Sequence, residues 1–338
     1  MEAFPNPNRY ETMTYRRCGK SGLLLPAISL GLWYNFGEVD RFDNCRALVR
    51  RAFDLGITHF DLANNYGPPP GSAEERVGRI LREDFAGYRD ELIISTKAGY
   101  RMWPGPYGEW GSRKYLLASL DASLKRLGLD YVDIFYSHRP DPNTPLEETL
   151  GALDSAVRQG KAIYVGISSY SGAMTADVVR ICQANGFVRP IIHQPSYAML
   201  NRWIETDLLP VTDRLGIGTI AFCPLAQGLL TGKYFGSARP SIDDVRGEKS
   251  PEWMHYFVNG LPSPEYLRKI EAVGEILRSG GRTLAQGALA WLWARSPKTV
   301  PIPGFRTVAQ AEENSAAMAF GPLTQEQFQE VERILGRA

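Results

Sequence analysis

The feature that most constrains this chain is an alternation of short apolar runs with longer amphipathic segments, repeated from residue 28 to residue 318. The runs at 28–31, 59–62, 91–97, 131–137, 162–168, 191–194, 218–222 and 299–302 are strand-like, with too little alternation for a strand that is wet on one face. Between them, 43–55, 72–81, 112–127, 145–159, 173–185, 206–215 and 308–318 carry apolar residues at helical spacing, and several stop at a glycine such as Gly56, Gly160, Gly186 or Gly216. The segment at 72–81 opens with Ser72-x-x-Glu75, which predicts a capping box. Eight such units with short connections predict an α/β fold with a parallel sheet, closed as a (β/α)8 TIM barrel.

Four stretches stand apart from the repeat. Residues 15–25 flank Gly19-Lys20-Ser21-Gly22 and predict an N-terminal β-hairpin. Residues 1–14, with asparagines, prolines and no periodicity, are expected to form an arm outside the catalytic core. Residues 228–262 are rich in Gly, Pro and Ser and too long for a passive connection; a lid over a ligand and a disordered insertion both fit. Residues 324–335, opened by Thr324, predict an extra C-terminal helix on the outside. Residues 15–338 are thus expected to be a single barrel domain, within the range of about 250 residues, with insertions above that, for such folds.

Charge narrows the partners. Lysine and arginine number 38 against 37 for aspartate and glutamate, a balance that points to neither nucleic acid nor an anionic membrane surface. Cys18, Cys45, Cys182 and Cys223 form no C-x-x-C pair, which argues against a zinc site and a disulfide framework and for a reducing compartment. No apolar run is long enough to span a membrane and residues 1–17 hold no signal-peptide core, so the expected location is the cytoplasm and the expected partner a small molecule.

The chemistry is expected at the carboxyl ends of the strands. The second strand ends in Asp61, with Tyr66 five residues on; the third ends Ser95-Thr96-Lys97; the fourth ends Ser137-His138. Taken singly, Asp61 reads as a loop cap and Tyr66 as a packing residue, but four ionisable groups on consecutive strands of one barrel form a constellation. A tyrosine, with an ordinary pKa near 10, serves as a general acid near neutrality only if a cation lowers that value. Lys97 supplies the cation, Asp61 holds Lys97, and His138 orients and polarises a carbonyl. His59 and His193 read as core groups or neighbours of site residues, and His255 as a loop residue without a role. The P-loop, G-x-G-x-x-G, H-E-x-x-H and G-x-S-x-G patterns are absent.

Phe60-Asp61-Leu62-Ala63 with Tyr66-Gly67, Ser95-Thr96-Lys97 and Ser137-His138-Arg139 resemble the Asp-Tyr-Lys-His tetrad of the aldo-keto reductases, over residues 15 to about 335. Tyr15 to Gly22, Leu30 to Gly37, Asn64 to Ser72, Ser112 to Tyr115 and Pro224 to Gly228 are similar to the branch of bacterial L-glyceraldehyde 3-phosphate reductases and potassium channel β-subunits; from about Gly236 onward the likeness is to other members. The resemblance implies NADPH as cofactor and carbonyl reduction. It also implies a cofactor site: Leu32 and Trp33 after strand one; Asp61; Ser168, Ser169 and Gln194 at the nicotinamide carboxamide; Phe222 stacked on its ring. Along the pyrophosphate it implies Cys223, Pro224, Leu225, Ala226, Gln227 and Gly228, with Lys233 as a clamp. Gly304, Arg306, Gln310, Glu313 and Asn314 complete the set. Within that pattern an arginine fork beside helix amides suits a 2′-phosphate, which makes Arg306 the physical argument for NADPH.

Trp33, Tyr34, Tyr100 and Trp103 fall on loops over the barrel mouth and either frame a small substrate pocket or simply pack. For a phosphorylated substrate the sequence offers Arg101, Arg113 and Arg139 without choosing among them. The expected activity is NADPH-dependent reduction of short aldehydes such as L-glyceraldehyde 3-phosphate or methylglyoxal. Two other readings are an NADPH-holding regulatory subunit, against which His138 speaks because the channel β-subunits carry Asn there, and a phosphate-binding isomerase. The branch also implies a homo-oligomer.

Overall fold

The computed structural model describes residues 4–235 and 264–336. The expected hairpin forms from β1 (Tyr15–Arg17) and β2 (Leu24–Pro26), paired antiparallel. Eight parallel strands follow in unbroken neighbour order: β3 (Leu30–Gly31), β4 (His59–Asp61), β5 (Ile93–Ala98), β6 (Val132–Ser137), β7 (Ala162–Ser168), β8 (Ile192–Gln194), β9 (Gly218–Phe222) and β10 (Val300–Ile302). Closure is made by the Ser29 amide donating to Pro301 O at 3.1 Å, the Gly31 amide to Pro303 O at 3.4 Å, and a bridge between Gly31 and Gly304. Pro301 and Pro303 have no N–H, so this edge of β10 offers mainly acceptors and the seam is a bridge rather than a full ladder. The (β/α)8 barrel is therefore closed, as the alternation predicts.

The helices between strands lie outside the sheet: α1 (Phe42–Asp54), α2 (Ser72–Asp84), α3 (Arg113–Leu127), α4 (Leu146–Arg158), α5 (Gly172–Asn185) and α6 (Leu209–Leu215). Helix α1 buries Leu48, Ala52 and Phe53 of the apolar positions its spacing singles out, together with Cys45 and Val49, whereas Ala47 is exposed. The capping box expected at Ser72 does not form. Gly71, in the left-handed region, is the N-cap, so Ser72 falls at the first helical position and its Oγ donates back to Pro69 O at 2.7 Å. Helix α6 starts later than expected, after a 3-10 turn at Trp203–Glu205, with Pro210 in its first turn.

After β9 come α7 (Pro264–Leu277), α8 (Leu284–Arg295), α9 (Val308–Phe320) and α10 (Gln325–Ile334). The strand–helix count does not anticipate α7 or α8. Every residue of α8 from Leu284 to Trp293 is buried, so it carries no polar face and no helical stripe for a periodicity reading to find. Helix α10 forms where expected and is held by Glu332, which accepts from Arg202 Nη1 at 2.6 Å. Most of the long segment at 228–262 lies outside the described residues, as does His255.

Among the described residues two apolar cores result. The larger lies between strands and helices; the smaller fills the barrel floor with Ile93, Ile134, Tyr136, Ile192, Ile220 and Val300, capped by Cys18 and Leu25 of the hairpin. Gly19, at φ +56°, lets the hairpin press on the floor: a Cβ there would lie 2.2 Å from Gly216 O. Residues 4–14 make turns that lie against the barrel, with Phe4 packed on Phe53 and Phe85 and the Arg9 guanidinium over the Tyr10, Phe53 and Tyr88 rings.

Candidate active site

In a strand, side chains two apart share a face, and inside a barrel that face points at the axis. His59 and Asp61 on β4, and Ser95 and Lys97 on β5, are all fully or almost fully buried. Lys97 Nζ donates to Asp61 Oδ2 at 2.6 Å, to Leu62 O at 2.7 Å and to Tyr66 OH at 3.3 Å. An ammonium has three donors and no acceptor, so these three bonds saturate it. Tyr66 oxygen must be the acceptor here, which leaves the hydroxyl proton to be given elsewhere. Burial pulls the Lys97 pKa below its ordinary value, and Asp61 is the main force holding it up. Asp61 Oδ1 in turn accepts from Ser95 Oγ at 2.8 Å and Gln194 Nε2 at 3.0 Å.

His138, just past β6, meets the Tyr66 ring edge-on at a centroid distance of 5.9 Å and the Tyr100 ring at 4.7 Å. Burial, reinforced by Lys97 and Arg139, pushes its pKa well below the ordinary value, so it is a neutral imidazole with one N–H to donate. Trp33 packs on the other side of Tyr66, centroids 4.9 Å apart. The four tetrad positions read from the sequence are thus brought together.

Asp61, Tyr66 and His138 open into a cavity of about 860 Å³. Tyr66, Asp61 and His138 line one part of it, with Trp33, Tyr34 and Tyr100; Ser168, Ser169, Gln194 and Phe222 line the next. Further along come Cys223, Pro224, Leu225, Gln227, Gly228 and Lys233, and then Gly304, Arg306, Gln310, Glu313 and Asn314. Leu32 and Ala226 are fully buried and do not line the wall. Trp103 does not line it either; its ring packs on Tyr115 at 5.2 Å. Lys97 stands behind Tyr66. Asn35, Val39, Asp40, Asn65, Thr231 and Ala285 line the cavity without having been singled out, since nothing in their spacing separates them from ordinary loop and helix residues.

Backbone shape makes the second half of the cavity. Ser169, Cys223, Ala226 and Gln227 all have positive φ, and Gly228 at φ +86° lets the Lys233 stem fold over the turn, where a Cβ would meet Lys233 Cε at 2.5 Å. At the start of α9, Thr307 and Gln310 form a capping box, and Gln310 Oε1 accepts from the Arg306 and Thr307 amides. Those two amides are therefore committed, and among the described residues the Arg306 side chain is the cation on this part of the wall. None of the three arginines considered for a substrate phosphate lines the cavity. Arg139 is pinned between the Tyr100 and Trp110 rings and paired with Glu109, and Arg113 Nη1 donates to Gly151 O.

The aldo/keto reductase family model matches residues 27–335. The chain belongs to that family. It is 56% identical to the L-glyceraldehyde 3-phosphate reductase of Escherichia coli K12, over 93% of this chain and 90% of the relative. It is 36% identical to a probable voltage-gated potassium channel subunit beta of Arabidopsis thaliana, over 92% of this chain and 93% of that one, and 34% identical to a putative one of Schizosaccharomyces pombe, over 96% and 94%. Membership of the family makes the chain an oxidoreductase. Among the described residues no helix is long and apolar enough to cross a membrane.

Proposed function

We propose that this protein reduces short-chain aldehydes to alcohols with NADPH, and that L-glyceraldehyde 3-phosphate or methylglyoxal is its substrate. The observation that carries the reading is the saturated Lys97 ammonium, bonded to Asp61, Leu62 O and Tyr66 OH. A cation held 3.3 Å from a phenol stabilises the phenolate and so makes Tyr66 a stronger acid. His138, neutral and edge-on to Tyr66, donates its N–H to the same carbonyl oxygen and orients it. Tyr66 passes its proton to that oxygen as charge develops there, and Lys97 stabilises the tyrosinate left behind. Asp61 takes no proton; its role is to keep Lys97 charged and in place.

The cavity fits a dinucleotide: an aromatic ring at Phe222, a polar turn over 223–228, and a cation at Arg306 line one continuous wall. When bound, the reduced nicotinamide supplies a hydride to the carbonyl carbon. Ser168, Ser169 and Gln194 would hold its carboxamide, and Lys233 and Arg306 its phosphates. Since Ser168 Oγ donates to Gln194 O at 2.7 Å and Gln194 Nε2 to Asp61, that end of the site is tied to the tetrad. A 2′-phosphate beside Arg306 is the physical case for NADPH over NADH. The similarity to the Escherichia coli reductase supports the substrate. We also propose that the protein assembles as a homo-oligomer and works in the cytoplasm, and its near-balanced charge supports a small-molecule partner rather than nucleic acid or a membrane.

The test is loss of reduced-nicotinamide absorbance, with NADPH and NADH in parallel, against both enantiomers of glyceraldehyde 3-phosphate, methylglyoxal and aromatic aldehydes. Fast NADPH oxidation with the L-phosphate or methylglyoxal is expected. Tight NADPH binding with no aldehyde reduced would replace this reading by that of a cofactor-holding regulatory subunit, the role the similarity to the channel subunits would then favour.

A further inference from the structure

Beneath Asp61 and Lys97 the barrel axis holds a second polar layer that the tetrad does not use. His59 is fully buried; its Nδ1 lies 2.9 Å from Ser29 Oγ and its Nε2 3.0 Å from Ser95 Oγ. Ser95 Oγ in turn lies 2.8 Å from Asp61 Oδ1. The direction of each bond follows from donor counting. A serine hydroxyl has one proton, and Ser95 must spend it on Asp61, whose carboxylate is ion-paired with Lys97 and can only accept. His59 Nε2 therefore donates to Ser95, which makes Nδ1 the unprotonated nitrogen and requires Ser29 to donate to it. Burial lowers the His59 pKa to about 4, so the imidazole is neutral and this tautomer is the one present near pH 7. All three bonds point the same way, from Ser29 on the seam toward Asp61, and chains of this kind polarise one another.

The consequence lies at Asp61 Oδ2. With Oδ1 fixed by Ser95 and Gln194, the carboxylate cannot rotate away, and Oδ2 remains on Lys97 at 2.6 Å. We propose that His59 is a positioning residue for the reduction: acting through Ser95, it pins Asp61 so that Lys97 stays paired and aimed at Tyr66. The inference rests on the reading of Tyr66 as the proton donor. Around Tyr66 and Asp61 the titratable and charged groups are Lys97, Tyr136, His138 and Tyr100, with Glu74 acting on Lys97, Arg139 on His138 and Cys18 on Tyr136. Asp40, Cys223, Lys233, Arg306 and Glu313 line the same cavity. Of all these, Lys97 bonds the Tyr66 oxygen and Asp61 alike, so a change at His59 reaches Tyr66 through Lys97.

The experiment is the pH profile of kcat/KM with NADPH and the aldehyde of the panel that reacts fastest, for His59→Leu, His59→Gln, Ser95→Ala and Tyr66→Phe. NADPH affinity and thermal unfolding are measured alongside. His59→Leu and Ser95→Ala are expected to lose about tenfold in kcat and to move the alkaline limb up by about one pH unit, because a less firmly held Lys97 leaves Tyr66 a weaker acid. NADPH affinity should not change, and His59→Gln, which keeps a donor toward Ser95, should recover most of the rate. If His59→Leu does not fold, Ser95→Ala, which removes one buried oxygen and little volume, decides alone. A wild-type rate and limb in the folded variants, with Tyr66→Phe inactive, overturns the positioning role and leaves Tyr66 standing. Turnover retained in Tyr66→Phe overturns the proton donor itself, whatever His59 does.

Discussion

The two halves of the cavity are built differently. On the side of β3 to β6, His59, Asp61, Ser95 and Lys97 leave the strands themselves and, with Tyr66 on the turn past β4, are tied to one another: Lys97 to Asp61 and Tyr66, Asp61 to Ser95, Ser95 to His59. On the side of β9 to α9, the wall is a turn with four left-handed residues between Cys223 and Gly228, a lysine folded over it, and the capped start of a helix. The first half is held together by hydrogen bonds among its own side chains. The second offers charge and shape to a molecule that bridges both. Proton chemistry demands fixed distances and is anchored to the rigid strands through Asp61 and Lys97, with Tyr66 and His138 just past the strand ends, whereas recognition of a long cofactor is assigned largely to loops.

That contrast makes the largest predicted effect a strand-side substitution. Lys97→Met leaves the Asp61 carboxylate buried without its cation, so turnover should fall by roughly 10²–10⁴-fold and the fold should lose about 3–5 kcal/mol. Steady-state rates and denaturant midpoints check both; a variant with wild-type stability would show that the two halves are not built on different principles. Next comes Arg306→Ala on the loop side. It should lower the preference for NADPH over NADH by roughly ten- to a hundredfold through KM, with kcat held and the melting point unchanged. A fall in kcat instead would mean that the loop side also shapes the chemistry.

A smaller effect sharpens the same comparison through acid. Burial lowers His59 to about 4 and His193 to about 3, against an ordinary value near 6.5. For a histidine with a depressed folded pKa, the unfolded chain takes up the proton first. Stability is therefore level above about pH 6.5 and falls as pH drops toward 4, by on the order of 1–2 kcal/mol per histidine at pH 5. Asp84, held low mainly by Arg46, loses its contribution only below the ordinary carboxylate range, outside this window. Urea unfolding at pH 7 and pH 5 should show the loss, and His59→Gln should reduce it. The smallest effect is at the α9 cap: Thr307→Ala should cost about 1 kcal/mol and weaken NADPH binding slightly by freeing Gln310, measured by thermal unfolding and titration.

The difference between the halves also governs how much could be read from the sequence. The barrel was legible because eight apolar runs and glycine-stopped helices repeat, and the Asp61, Tyr66, Lys97 and His138 cluster because strand period and strand ends fix where such residues point. The chain through Ser29, His59 and Ser95 was not legible: a serine inside a strand looks like any small core residue until its neighbours across the sheet are known. Helix α8 escaped because it is buried on every side and so shows no polar stripe, and the capping box at Ser72 failed because Gly71 takes the N-cap position one residue earlier. In the loops past β3, β5 and β9, Leu32, Trp103 and Ala226 carry the right residue types and lie off the cavity wall, since loop direction depends on dihedral angles such as the φ of 56° at Cys223 that residue type does not announce.

The most direct test of the central claim is a single-turnover reaction of Tyr66→Phe, with enzyme in excess over NADPH and saturating aldehyde, following the reduced-nicotinamide signal. The account predicts that NADPH binds with near wild-type affinity while its oxidation slows by roughly 10²–10⁴-fold. Oxidation at the wild-type rate would show that the proton comes from another group and that the strand-side cluster is not where the reaction is completed.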